Sequence, residues 1–226
     1  MTTPSAPIAL LHTSPVHVAT FDHLLDSALP DWPRVHLVDE SLLADARRHG
    51  LDEALARRLD ARLDQLASGS PAVIVCTCST IGPLAESAAH RYPVIRVDRP
   101  MAEAAIAIAS RAAGTVGVAA ALESTIAPTL DLLADVAGHG ATPLLTGRVE
   151  AIPCFHSWPA FERGDMDAYG QAIAGAIRPV ADRCAVIVLA QASMAVARPF
   201  LRDVTVPILD SPTLLVEAVV SRLRDG

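Results

Sequence analysis

The sequence predicts an α/β protein built as two pseudo-symmetric halves, each a parallel sheet flanked by helices. Three observations carry this. Short apolar runs alternate with helical patterns along the 226 residues, the order expected when crossover helices join parallel strands. The runs are continuously apolar, as in strands covered on both faces. Two stretches also repeat. "PAVIVCTCSTIG" from Pro71 and "CAVIVLAQASMA" from Cys184 lie 113 residues apart. Each has Ala-Val-Ile-Val, two further residues, a polar residue, and then small and hydroxyl residues. In register, Cys78 of the first falls on Gln191 of the second.

The elements follow in order. "PIALLHT" from Pro7 and "RVHLVDE" from Arg34 read as strands. In "LDEALARRLDARLDQLA", Leu51, Leu55, Leu59, Leu63 and Leu66 share one helical face. Glu53 and Arg57 form an i,i+4 pair on the other face. Ser68-Gly69-Ser70-Pro71 ends that helix. "AVIVCT" and "PVIRVD" are the next strands, followed by "GTVGVAA" and a helix from Glu123 to Ala137. "TPLLTG" and "VEAIP" read as strand and loop, and Asp165 to Ile177 as a helix. "CAVIVLA" and "VPILDS" are strands, and Pro212 to Arg224 is the last helix.

Composition excludes several classes. The chain is 51% hydrophobic, which argues against disorder. A net charge of −7 without a basic run argues against a nucleic-acid partner. No run of about 18 apolar residues stands ready to span a membrane. The segment "MTTPSAPIALLHTSP" lacks the charged start of a signal peptide, so a cytoplasmic location is expected. Four irregularly spaced cysteines fit free thiols in a reducing compartment. Cys76-x-Cys78 supplies two metal ligands with no matching pair, so no metal is expected. "HTSPVH" stands where a dinucleotide-binding glycine motif would follow the first strand, and there is no P-loop.

The two repeats place chemistry at strand ends. Ligands of open α/β sheets bind beyond the carboxyl ends of the strands, so Cys78 and Gln191 are expected to face one cleft from opposite sides. Read at a helix N-terminus, Cys78 meets unpaired N–H groups and a positive dipole, both of which favour a thiolate. The same groups hold a carboxylate, with Ser79 and Thr80 as added hydroxyl donors. The competing reading is an inert buried cysteine. Cys76 points the same way but deeper, into the core.

These residues resemble the aspartate/glutamate racemase superfamily, which includes hydantoin racemases, maleate isomerases and arylmalonate decarboxylases. Its first cysteine stands in a pattern similar to Cys-Asn-Thr, here Cys78-Ser79-Thr80; its second resembles Gly-Cys-Thr, here Ala190-Gln191-Ala192. Weaker likenesses lie in "LLHTSP" and "GTVGVAAALEST". The resemblance implies two Rossmann-like domains around a cleft that holds a small acid, and no cofactor. It also implies a discontinuous first domain of residues 1–98 and 206–226, with a second domain of 99–205. A homo-oligomer would be in keeping with the family.

An amide can neither remove nor return a carbon-bound proton. Two-thiol racemisation is therefore not expected, and Gln191 is assigned to substrate binding or enolate stabilisation, together with Ala192 and Ser193. His12 is the first candidate for a replacement base, since imidazole titrates near neutral pH; His156 in "CFHSW" is the next and is also taken as a substrate contact. Thr13 and Ser14 resemble the family's carboxylate contacts, with helix capping as the alternative. Ser124 or Thr125 takes the place of a family threonine near the end of "VGVAA", Arg99 is either an anion contact or salt-bridged, and Ser211 reads as a helix cap.

The expected function is cofactor-independent isomerase-type chemistry on a small carboxylate or related acid through Cys78. Decarboxylation, cis–trans isomerisation of a small dicarboxylate, and non-catalytic binding of a small acid are the alternatives.

Overall fold

The computed structural model of the chain describes residues 6–138 and 147–225. Its first sheet holds β1 (Ile8–His12), β2 (Arg34–Val38), β3 (Val73–Cys76) and β4 (Val94–Arg96), all parallel, in the order β2-β1-β3-β4. Alternation along β1 and β3 sends side chains to opposite faces. Ile8, Leu10, Val73 and Val75 pack with Phe21 and Leu25 of α1 (Val16–Ala28). Ala9, Leu11, Ile74 and Cys76 pack with leucines of α2 (Glu40–His49) and α3 (Glu53–Ala67) and with Ala85 of α4 (Gly82–Ser87). Both faces are covered, which is why these strands read as unbroken apolar runs.

Local chemistry sets the helix ends. Asp39 caps α2 by accepting from Ser41 N–H, and Asp52 caps α3 by accepting from Leu55 N–H. Leu51 therefore lies outside the helix it was expected to join, and it is exposed. The sequence reading does not outline α1, because a buried histidine, His17, stands in its core stripe beside Phe21 and Leu25.

The second sheet repeats the plan with β5 (Thr115–Ala120), β6 (Val149–Pro153), β7 (Cys184–Leu189) and β8 (Ile208–Asp210), parallel in the order β6-β5-β7-β8. Val116, Val118, Val186 and Val188 pack against α5 (Arg99–Ala109) and α6 (Ile126–Ala137). On the other face, Ile187 and Leu189 pack with Ala160 of α7 (Trp158–Glu162), Tyr169, Ile173 and Ile177 of α8 (Met166–Ile177), and a 3₁₀ helix, Ala192–Leu201. "VEAIP", expected as a loop, is the edge strand β6 instead; "TPLLT", expected as a strand, lies outside the described residues. The chain closes with α9 (Ser211–Asp225).

Contacts divide the chain into two compact units, residues up to Val97 together with those from Leu215 onward, and Asp98–Leu214. The return at Leu215 is later than the expected Val206, because Ile208–Asp210 pairs with β7 in the second sheet. Main-chain bonds fix the correspondence between units. Thr77 N–H donates to Leu11 O as Ala190 N–H does to Ala119 O. Asp39 N–H donates to His12 O as Cys154 N–H does to Ala120 O. Cys78 and Gln191 are thus equivalent, as are His12 and Ala120, Thr13 and Ala121, and Ser14 and Leu122.

Candidate functional site

In each sheet the strand order reverses beside the first strand, at β1/β3 and at β5/β7. Loops leaving such a pair diverge and open a crevice at the carboxyl ends of the strands. In the first unit those loops carry His12–Ser14 and Thr77–Thr80. In the second they carry Ala120–Leu122 and Ala190–Ser193.

Cys78 lies two residues beyond the end of β3 and is 8% exposed. It does not start a helix. Residues 79–81 form a turn, and α4 begins only at Gly82 and runs six residues. The expected helix dipole at the thiol is therefore absent, and Cys78 instead borders the apolar cluster around Leu11, Cys76 and Ile81. Ser79 follows it, buried, with no hydrogen-bond partner for its hydroxyl. Thr80 is buried as well.

His12 is fully buried, and both ring nitrogens are engaged. Nδ1 lies 2.9 Å from Thr77 Oγ1, and Nε2 lies 2.9 Å from His36 Nδ1. His36 Nε2 in turn lies 3.1 Å from Asp22 Oδ1. Burial first, then the charges of His36 and His17, pull the His12 pKa down to about 3. A ring so held is a neutral structural partner of Thr77, and no nitrogen of it is left over to act as a base on a ligand. Neither Thr13 nor Ser14 caps α1, whose N-cap is Pro15 without a side-chain bond; Thr13 is 5% exposed.

The second unit differs at the equivalent point. The side-chain oxygen of Gln191 accepts from the amides of Ala121 at 2.6 Å and Leu122 at 3.0 Å. This fixes the carboxamide with Oε1 inward, leaving its NH₂ as the part that can donate outward. The corresponding first-unit amides, of Thr13 and Ser14, have no side-chain acceptor among the described residues. An oxygen acceptor therefore already sits, supplied by the protein, in the second-unit position that matches the Thr13–Ser14 turn.

The remaining candidates divide. Ser124, in a 3₁₀ turn after β5, has a buried hydroxyl without a partner. Ala192 is buried, while Ser193 Oγ is committed to the Tyr169 hydroxyl at 2.9 Å. His156 is exposed in a 3₁₀ turn after β6. Arg99 bonds Asp135 at 2.8 Å, the salt-bridged alternative. Ser211 is not the cap of α9; Asp210 Oδ1 accepts from Thr213 N–H at 2.9 Å, and the Ser211 hydroxyl is buried without a partner. Among the described residues no group of three His, Cys, Asp or Glu side chains is arranged to hold a metal ion, and no helix is long and apolar enough to cross a membrane.

Sequence reasoning passed over Arg96. It ends β4 at 3% exposure, with Nη1 3.5 Å from Glu86 Oε2. Its guanidinium lies over Gly82, where a Cβ would come within 2.9 Å of Nε. The glycine that opens α4 lets a buried cation lie against the segment following Cys78. The available signal was an arginine inside the apolar run "PVIRVD".

The sequence profile of the Asp/Glu/Hydantoin racemase family matches residues 13–219. The chain belongs to this family. Known family structures share its fold. Glutamate racemase from Francisella tularensis, solved with D-glutamate, superposes with a TM-score of 0.72 at 19% identity, covering 99% of this chain and 82% of that one. Aspartate racemase from Picrophilus torridus gives 0.70 at 14% identity, over 95% and 93%. Allantoin racemase from Klebsiella pneumoniae gives 0.65 at 18%, over 98% and 89%. No curated protein sequence matches the chain significantly. Within the racemase family, then, this member carries Cys78 in one unit and Gln191 at the equivalent place in the other.

Proposed function

We propose that the chain is an enzyme performing cofactor-independent, single-thiol chemistry on a small carboxylate or related carbonyl acid, with Cys78 as the catalytic group. The observation that carries this reading is the asymmetry of two equivalent strand ends. One offers a thiol beside the Thr13–Ser14 turn. The other offers an amide whose oxygen is spent on Ala121 and Leu122. Gln191 takes no proton from carbon; its outward NH₂ is suited to hold an oxygen that gains negative charge.

A single thiol supports a limited set of reactions. As a thiolate it removes an α-proton and returns one to the same face, exchanging without inverting. After C–C cleavage releases CO₂, the thiol protonates the enolate carbon and becomes the thiolate. Added to an activated double bond, the thiolate allows rotation and then leaves. In this reading His12 and Thr77 position the segment bearing the thiol. The Thr13 and Ser14 amides, with Ser79 and Thr80, hold the acid group.

The test is proton NMR in D₂O with amino acids, hydantoins, maleate and substituted malonates, using wild type and Cys78→Ala. We expect one compound to exchange its α-proton, isomerise or lose CO₂ with wild type, and a loss of at least about 10³-fold in the variant. Undiminished turnover by Cys78→Ala would overturn the assignment. Binding of an acid without any turnover would point to the non-catalytic alternative.

A further inference from the structure

The bonds that hold His12 form one line from a solvent-facing carboxylate to the residue before Cys78. The line runs Asp22, His36, His12, Thr77, at 3.1, 2.9 and 2.9 Å. Thr77 Oγ1 also lies 3.0 Å from Leu11 O. Each hydrogen bond needs one proton, so few arrangements satisfy the whole line.

Two do. In the first, the Thr77 hydroxyl donates to His12 Nδ1, His12 donates from Nε2 to His36 Nδ1, and His36 donates from Nε2 to Asp22. Both rings are neutral, and Leu11 O keeps the Thr77 amide, which donates to it at 3.0 Å. In the second, His36 holds two protons and donates to Asp22 and to His12 Nε2. His12 must then carry its proton on Nδ1 and donate to Thr77. The hydroxyl turns to Leu11 O. The two states differ by one proton, taken from solvent. His36 can exchange it because its side chain keeps 16% exposure. His12 is neutral in both and changes only its tautomer.

We propose that Asp22 and His36 are positioning residues for the Cys78 segment, and that protonation of His36 reverses the line down to Thr77. In the protonated state the Thr77 side chain both accepts from His12 and donates to Leu11 O, so it is held by two bonds instead of one. The proposal rests on Cys78 being the working thiol. The groups around the line are accounted for. Arg34 reaches Asp22 at 3.5 Å and Asp26 at 2.7 Å, stabilising the carboxylate end. From α1, the rings of Phe21 and His17 lie 5.9 and 6.5 Å from that of His12. Burial holds His17 neutral, with its pKa lowered to about 4. The low pKa of His12 keeps that ring neutral in both states.

The experiment uses the intact protein without a substrate. Long-range ¹H–¹⁵N spectra across pH report each imidazole's tautomer. Alkylation of Cys78 by iodoacetamide, located by tandem mass spectrometry, reports the thiol. We expect His12 to change from the Nε2–H to the Nδ1–H tautomer as His36 gains its proton. We also expect the alkylation profile to step by at least about twofold at the same pH. Thr77→Val should remove that step while His36 still titrates, and Asp22→Asn should move the His36 transition to lower pH. A His12 tautomer that stays fixed while His36 titrates overturns the proposal, as does an alkylation profile without a step there. Turnover by Cys78→Ala overturns the functional reading and with it the reason for positioning this segment. A fixed His12 tautomer overturns the line alone.

Discussion

At the residue scale the instructive side chain is Gln191. Its oxygen replaces water for two buried amides, so its removal should leave both unsatisfied. Gln191→Ala is expected to destabilise the protein by about 1–3 kcal/mol, the cost of losing an acceptor for buried donors. Gln191→Glu keeps an oxygen acceptor for the two amides and should cost less. Urea denaturation of the three proteins checks this, and equal losses would show that the two amide bonds carry no stability. The sequence made part of this legible. The 113-residue repeat placed Gln191 at the position equivalent to Cys78 because buried parallel strands repeat as apolar runs. It did not show the partners, Ala121 and Leu122, which lie 70 and 69 residues away and present only backbone. The line through His36 was hidden for the same reason: His12 was visible as a titratable residue at a strand end, but the other members of the line come from α1, β2 and the segment after β3. A base was expected where both ring nitrogens are already engaged by Thr77 and His36.

At the element scale, α8 shows what packing adds to pattern. The helix is capped by Asp165, which accepts from Ala168 N–H, and its span agrees with the sequence reading of Asp165 to Ile177. It carries two glycines with opposite surroundings. A Cβ at Gly170 would come 2.7 Å from the Phe200 ring and 2.9 Å from Val196 O, both on the adjoining 3₁₀ helix. A Cβ at Gly175 would meet nothing within 4 Å. Gly175→Ala should therefore stabilise by up to about 1 kcal/mol through helix propensity. Gly170→Ala gains the same propensity but must displace a backbone carbonyl, and should be a net loss of about 1–3 kcal/mol. Thermal melts of both variants measure the difference; matching shifts would mean the two helices separate freely. Where the sequence reading failed at this scale, the element was short or at an edge. The six residues of α4 were too few to show that the turn before it, not a helix end, follows Cys78. The three residues of β8 were assigned to the wrong half because an edge strand carries little signal of which sheet it joins.

At the scale of the whole molecule, the buried neutral histidines among the described residues are concentrated in the first unit, and this sets its response to acid. The pKa of His12 is lowered to about 3 and that of His17 to about 4, both chiefly by burial. Each group binds a proton more readily in the unfolded chain, where its pKa is about 6.5. The stabilisation is therefore complete above about pH 6.5. It is lost as pH falls toward the folded values, at up to about 1.4 kcal/mol per pH unit for each histidine. The buried titratable groups Cys154 and Tyr169 of the second unit behave differently. Burial raises the Cys154 thiol to about 12 and pushes the Tyr169 hydroxyl higher still, so both stay neutral throughout the acid range. Acid should consequently loosen the first unit before the second. Hydrogen exchange between pH 6.5 and 4, corrected for intrinsic rates, is expected to show protection falling in β1, β2 and α1 while β5, β7 and α8 hold theirs. His17→Phe should shift that loss to lower pH, because it removes one proton-binding group and keeps the ring-filled space beside His12. Simultaneous loss in both sheets would mean that acid acts through some charge other than these two imidazoles.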